Sequence, residues 1–427
     1  MTTHRAAHVF VPGGFPTLTY VERQGKDYET QLSDALDLKG QIVSIAGPSK
    51  SGKTVLVEKV VGKNNLISIT GAGITSADQV WDRVLNWMDS PSEVSSSTKT
   101  ERSGTMGLEG RADLGVPGVG KLQVVGKAGG QMGAGTGTNE VYQRRGMQQV
   151  IDEIANSDFV VLIDDFHYMP RDIQQEVAKQ LKDAVRQGVS FITASVLHRT
   201  DDVVRALPEL RGRVVAVDLD YWDRTDLVRI AKAGFTVMNF EMPDEVIDSL
   251  AAEAAGSPQL MQSICYHTCL HLDARESFAM HRVFRKNDIT KGKIMERTVS
   301  SANFRSLVDV LDSGPKTRGV ERKMYTFTDD VSGDVYRCVL KAVAADPPRL
   351  SFPYQDIVER VAVICRSEPP VGSSITGTCT QMSKLAKDNF PGERAIDWDE
   401  QKQVLDIPDP YLLFYLRWSD RLRESED

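Results

Sequence analysis

The stretch GPSKSGKT, residues 47–54 inside SIAGPSKSGKTVLVEKVVG (44–62), matches G-x-x-x-x-G-K-[ST] at every position. The pattern has specific mechanics: backbone N–H groups of a glycine-rich turn wrap phosphates, a lysine reaches the outer phosphates, and a hydroxyl ligates magnesium. Gly47, Pro48, Ser49, Lys50, Ser51 and Gly52 supply the turn, with Lys53, Thr54 and Val55 after it. The flanks fit. QIVSIAG (41–47) is an apolar run, and TVLVEKVVG keeps Val55, Val57 and Val60 or Val61 at helical spacing, so the segment reads as strand, loop, helix.

Four further apolar runs read as strands: NLISIT (65–70), FVVLIDD (159–165), VSFITAS (189–195) and VVAVDLD (214–220). Helical spacing lies between them, as in Val80, Trp81, Val84, Leu85 and Met88, in Met147, Val150, Ile151 and Ile154, and in Ile173, Val177, Leu181 and Val185. Five strands alternating with helices predict an α/β, doubly wound, parallel five-stranded core. After Tyr221 only helical patterns follow, to about residue 290, and a basic connection RKNDITKGKIMER leads to the last region. There SSITGTCTQMSKLAKDNF keeps Ile375, Cys379, Met382 and Leu385 at helical spacing before the strand-like AIDW and QVLDI, which predicts a winged helix.

Residues 104–137 contain 12 glycines, which depresses both helix and strand. The segment reads either as a flexible loop or as a glycine-rich hairpin that orders against a partner.

A length of 427 residues suits two or three domains. The balance of 51 Lys plus Arg against 59 Asp plus Glu argues against a surface that grips nucleic acid throughout, while leaving room for a local basic face. MTTHRAAHVFVPGGFP lacks the apolar core of a signal peptide and no later run reaches membrane-span length, so the expectation is a cytoplasmic protein without a membrane partner. Five cysteines, Cys265, Cys269, Cys338, Cys365 and Cys379, fit a reducing compartment. CYHTCLH (265–271) puts two Cys and two His close together, but on one helix the Cys pair and the His pair take different faces, so packing is the expected use.

FVVLIDDFH ends the most apolar run on Asp164 and Asp165. Asp164 is suited to hold magnesium with Thr54, and Asp165 to polarise an attacking water.

Together these residues resemble the AAA+ ATPases, especially the branch shared by replication-initiator-like ATPases and STAND signal-switch ATPases, over roughly 15–272 and more loosely beyond. The resemblance implies ATP and Mg2+ as ligands. It also implies an N-terminal arm with an adenine-covering segment (1–40), a P-loop core (41–221) with a glycine-rich insertion (96–137), a helical lid (222–290) and a winged-helix domain (301–427). GFPTLTYVERQGKDYETQL is similar to the adenine-covering segment, with Tyr20, Val21 and Arg23 as contacts; an arm merely packed on the domain is the other reading. Ser195 sits where these ATPases place a polar sensor, and Arg199 resembles the STAND arginine that feels the γ-phosphate. LPELRGRVVAVDLDYW resembles the segment whose arginine enters the neighbouring subunit's site, with Arg213 first and Arg211 second. AAGSPQLMQ resembles a lid motif, with Pro258 beside the nucleotide and Gln259 where many relatives carry an arginine. That departure, and Asp165 where most motors have Glu, lean toward slow turnover.

The resemblance implies a homo-oligomer, ring or filament, that hydrolyses ATP and works as a switch on a separate effector protein, for example in defence signalling. Two other roles stay open. One is a DNA-binding regulator of replication-initiator or transposition type, using Arg282, Arg285, Lys286, Lys291 and Lys293 with Lys384 and Lys387 of the winged helix. The other is a nucleotide-binding scaffold that never hydrolyses.

Overall fold

The apolar runs around the glycine-rich turn become strands within one residue or two of their sequence limits. A computed structural model describes residues 3–90, 93–95, 141–143, 146–196, 207–316, 319, 321–390 and 395–423. After α1 (Ala6–Val9) and α2 (Tyr28–Asp37) come β1 (Ile42–Ala46), α3 (Lys53–Val61), β2 (Leu66–Thr70) and α4 (Asp78–Trp87). A short antiparallel pair, β3 (Glu93–Ser95) and β4 (Val141–Gln143), precedes α5 (Met147–Ile154), β5 (Val160–Asp164), α6 (Arg171–Arg186), β6 (Ser190–Ser195) and β7 (Val214–Asp218). The glycine-rich segment 104–137 lies outside the described residues.

The main sheet runs β2-β5-β6-β1-β7, parallel throughout, which is the doubly wound α/β core that the sequence predicts. Successive residues feed opposite faces. Ile42 and Phe191 pack with Trp81, Val177 and Leu181 under α4–α6, whereas Val43, Ile45, Ile192 and Ala194 pack with Leu32, Leu56 and Val57 under α2 and α3. Burial on both sides is why β1 and β5 read as continuous apolar runs. The edge strand β7 is buried at only one of its five positions, Val217.

Three helices follow, α7 (Arg224–Val237), α8 (Asp244–Glu253) and α9 (Pro258–His271). Ser257 caps α9 by accepting the Leu260 N–H at 3.2 Å, and Pro258 opens it. CYHTCLH lies on this unbroken helix. Cys265 and Cys269 are buried in its core, while His267 Nδ1 lies 3.1 Å from Thr298 Oγ1 and His271 Nε2 accepts the Thr290 N–H at 3.2 Å. The N-terminal arm completes this core: Phe10 packs edge-on against Phe235, and Gly234 is required because a Cβ there would come within 2.1 Å of the Phe10 ring.

The last region begins with α10 (Lys291–Val299), α11 (Arg305–Ser313) and α12 (Val335–Ala344). It continues through β8 (Ser351–Pro353), α13 (Tyr354–Ile364), α14 (Gly372–Asn389), β9 (Asp397–Asp399), β10 (Val404–Asp406) and α15 (Pro410–Trp418). These three strands form an antiparallel sheet in the order β8-β10-β9, separate from a two-residue antiparallel pair, Tyr325–Thr326 with Ser332–Gly333.

Helix α15 serves two cores. Leu412, Leu413 and Leu416 pack with the C-terminal region, and Tyr411 and Phe414 with α7–α9. Buried Glu253 of α8 fastens the same junction, accepting from Arg417 Nε (2.9 Å) and Nη2 (3.0 Å), Lys291 Nζ (2.9 Å) and Trp418 Nε1 (2.8 Å). Burial pushes its carboxyl up, but these bonds outweigh it and hold it below its ordinary range. Arg417→Met is expected to cost about 3 kcal/mol, because it removes two of the four hydrogen bonds that hold a buried carboxylate. A urea midpoint unchanged from wild type would contradict this. Among the described residues no helix is long and apolar enough to cross a membrane.

Candidate functional site

At the C-terminal end of β1 the chain turns sharply at Gly47, where a Cβ would meet Leu219 Cβ at 2.9 Å. The turn closes at Gly52, whose φ of +92° favours glycine, and α3 starts at Lys53. The crevice beyond the carboxyl ends of the strands is where open α/β sheets bind ligands, and a helix N-terminus there favours phosphate.

Lys53 is buried beneath the turn, its Nζ donating to the Gly47 carbonyl at 3.0 Å and the Pro48 carbonyl at 2.9 Å. Burial pulls its ammonium down to about 8, against the opposing pull of Asp164 and Asp165. Phosphate favours the ammonium, so binding above that pH must take up a proton. ATP affinity is expected to stay flat below about pH 8 and to fall by up to about tenfold per unit above it. Calorimetry in buffers of different ionisation enthalpy at about pH 9 reads this as proton uptake, and zero uptake would contradict it.

The Thr54 hydroxyl donates to Asp164 Oδ2 at 2.5 Å, joining α3 to the end of β5. Asp164 Oδ1 accepts the Asp165 N–H at 2.9 Å. Asp165 sits at φ +55°, and its carboxyl is raised by burial and then by the charge of Asp164, with Lys53 opposing. Gly71, at the end of β2, has no room for a Cβ, which would lie 2.6 Å from the Asp165 carbonyl oxygen. A hydroxyl touching a carboxylate is a hard-oxygen pair of the kind that suits Mg2+, so these residues fit that ion.

The adjoining cleft, about 550 Å³, is of small-molecule size. Its walls include Val11–Pro16, Tyr20, Val21, Arg23, Ser49–Leu56, Asp164, Asp165, Pro258 and Gln259. The Tyr20 ring stacks on Phe15 at 6.0 Å, and its hydroxyl donates to Glu29. Arg23 lines the cleft but spends its terminal nitrogens on the Asp220 and Ser51 carbonyls.

The fold therefore gathers Lys53, Thr54, Val55, Asp164, Asp165, Tyr20, Val21, Arg23 and Pro258 around one cleft. Ser195 ends β6, its carbonyl accepting the Gly47 N–H at 3.2 Å, and the next residue, Val196, lines the cleft. Arg211 and Arg213 lie just before the edge strand β7 and do not line it. Arg199 lies outside the described residues.

Sequence reasoning missed two partners of the turn. Lys50, at φ +60°, extends Nζ to Asp409 at 2.8 and 3.1 Å and lies 4.3 Å from the Tyr411 ring centroid. Asp409 also caps α15 by accepting the Tyr411 N–H at 2.9 Å. The second partner is Trp222, whose indole donates to the Ser51 carbonyl. Neither Asp409 nor Trp222 belongs to the local pattern of GPSKSGKT, and both meet the turn only through tertiary contact.

No protein-family model matches the chain, and no curated protein matches it. Among solved structures, a Walker-type ATPase of Pyrococcus abyssi is similar over 94% of this chain and 99% of its own, at 14% identity and a TM-score of 0.47. Cdc6p from Pyrobaculum aerophilum is similar over 98% of both chains, at 11% identity and a TM-score of 0.43. The RuvB Holliday junction branch migration motor of Thermotoga maritima covers 90% of this chain and 92% of its own, at 12% identity and a TM-score of 0.39.

Proposed function

We propose that the chain is an AAA+ ATPase whose nucleotide controls assembly with further copies of itself. The observation that carries this reading is the convergence of buried Lys53, the Thr54–Asp164 pair and Asp165 beneath one glycine-rich turn. Loop N–H groups would hold the ATP phosphates, and the Lys53 ammonium would exchange the Gly47 and Pro48 carbonyls for phosphate oxygens. Thr54 and Asp164 would hold Mg2+, which when bound draws charge from the β- and γ-phosphates. Asp165, its carboxyl raised above the ordinary value by burial, would accept the proton of the attacking water.

Arg213, with Arg211 beside it, stands at the sheet edge away from its own cleft, which suits an arginine offered to a neighbouring subunit. The test mixes Lys53→Ala subunits with Arg213→Ala subunits. A shared site restores activity in mixed assemblies, because some interfaces then hold an intact lysine and an intact arginine. Mixed assemblies of normal size with no activity would refute the shared site.

The order α12-β8-α13-α14-β9-β10 suits a winged helix, and we read it as one. Its candidate recognition helix, α14, has only Lys384 and Lys387 as basic residues. Lys387 of α14 is spent on Asp397 at 2.6 Å, which weakens a DNA-reading role and favours a surface for an effector protein, as in a STAND-type switch. Steeply salt-dependent DNA binding in the presence of ATP would favour the replication-initiator-type reading instead.

A further inference from the structure

The Arg23 guanidinium lies between two rings, 5.1 Å from the Tyr28 centroid and 4.5 Å from that of Trp222. Its Nη1 donates to the Asp220 carbonyl at 2.7 Å, and its Nη2 to the Ser51 carbonyl at 2.9 Å. The Trp222 indole N–H donates to the same Ser51 carbonyl at 2.8 Å. One carbonyl of the turn therefore accepts two hydrogen bonds. One comes from the N-terminal arm and the other from the segment joining β7 to α7.

A trans peptide is planar, with its C=O and the next N–H pointing opposite ways. Fixing the Ser51 carbonyl therefore fixes the direction of the Gly52 N–H. Glycine allows that plane to turn at little steric cost, and the Ser51 hydroxyl is buried without a hydrogen-bond partner, so it does not hold the plane either.

We propose that Arg23 and Trp222 are positioning residues that clamp the Ser51–Gly52 peptide so that the Gly52 N–H faces the nucleotide phosphates. The proposal rests on the nucleotide-binding reading above. It assigns Arg23 a role different from base contact, and it makes the entry to α7–α9 a structural partner of the phosphate cradle.

The test uses the full chain, ATP with Mg2+, and the variants Trp222→Phe and Arg23→Lys. Phe keeps a ring against the guanidinium and loses only the donor; Lys keeps the charge and loses the two-pronged grip. Each variant is expected to weaken ATP binding about 5- to 10-fold, the size of one hydrogen bond in a partly buried site. A melting curve without nucleotide controls for folding; it should stay cooperative and fall only modestly, since each variant also leaves a buried carbonyl short of a donor. The double variant should bind less weakly than the product of the single effects predicts, because both residues act on one carbonyl. Adenosine, which has no phosphate, should compete equally well for wild type and variants.

Wild-type ATP affinity in Trp222→Phe, or equal losses for ATP and adenosine, would overturn the clamp and leave the nucleotide reading standing. Absence of ATP binding by the wild type would overturn both.

Discussion

Lys53→Ala is expected to weaken ATP binding by about 100-fold or more and to bring phosphate release to background. Three cations line the cleft among the described residues: Lys53, Lys50 and Arg23. Lys50 is committed to Asp409, and Arg23 to two backbone carbonyls. Only Lys53 is bound to partners, the Gly47 and Pro48 carbonyls, that phosphate oxygens can replace where it stands. A hydrogen bond to a charged group contributes about 1.5–3 kcal/mol, and two of them exceed the roughly 2.7 kcal/mol that corresponds to 100-fold in affinity. Calorimetric titration reads the loss, with a melting curve as the control for folding. A variant that still binds ATP as tightly as wild type would sink the assignment of this turn as the phosphate cradle.

Asp165→Asn should separate binding from chemistry. Asparagine has nearly the same size and tolerates the left-handed backbone found at φ +55°. What it loses is the capacity to take a proton. General base catalysis contributes about 10²–10⁴-fold, so turnover is expected to fall by at least about 100-fold while ATP binding is retained. The pH profile carries a second mark. Burial and the Asp164 charge raise the Asp165 carboxyl, so it stays protonated to higher pH than an ordinary aspartate. Wild-type turnover should therefore fall on acidification at a higher pH than an ordinary aspartate would set. Unchanged phosphate release in Asp165→Asn would favour the scaffold that binds nucleotide without hydrolysing it.

The parts of this fold written in local pattern were legible. β1 and β5 are buried on both faces and so announce themselves as unbroken apolar runs, and the turn from Gly47 to Thr54 has a spacing fixed by the phosphates it would wrap. The pairing of Thr54 with Asp164, 110 residues apart, followed because the turn after β1 and the last residue of β5 both lie at the carboxyl end of one parallel sheet. Other features were not legible. β8 and α12 are needed to complete the C-terminal region, but Ser351–Pro353 is three residues long and has no periodicity to detect. Asp409 and Lys50 meet across 359 residues, and nothing near either one encodes the other. Arg23 was readable as a residue of the cleft, whereas its grip on a carbonyl emerged only once Trp222 was placed beside it.

The two-sided packing of α15 constrains how the molecule can move. Pulling the C-terminal region away from α7–α9 would uncover Tyr411 and Phe414, at about 1.5–3 kcal/mol for a side chain of that size, and would break the Glu253–Arg417 pair as well. Moving both together leaves all of those contacts intact. The chain ties α7–α9 to the P-loop core at two places, because the N-terminal arm packs on Phe235 through Phe10 and Trp222 reaches the Ser51 carbonyl. The part-exposed Lys50–Asp409 pair joins the phosphate turn to the cap of α15, so any motion that carries α15 away from the turn must release it, and the turn's own lysine becomes a latch on the far region.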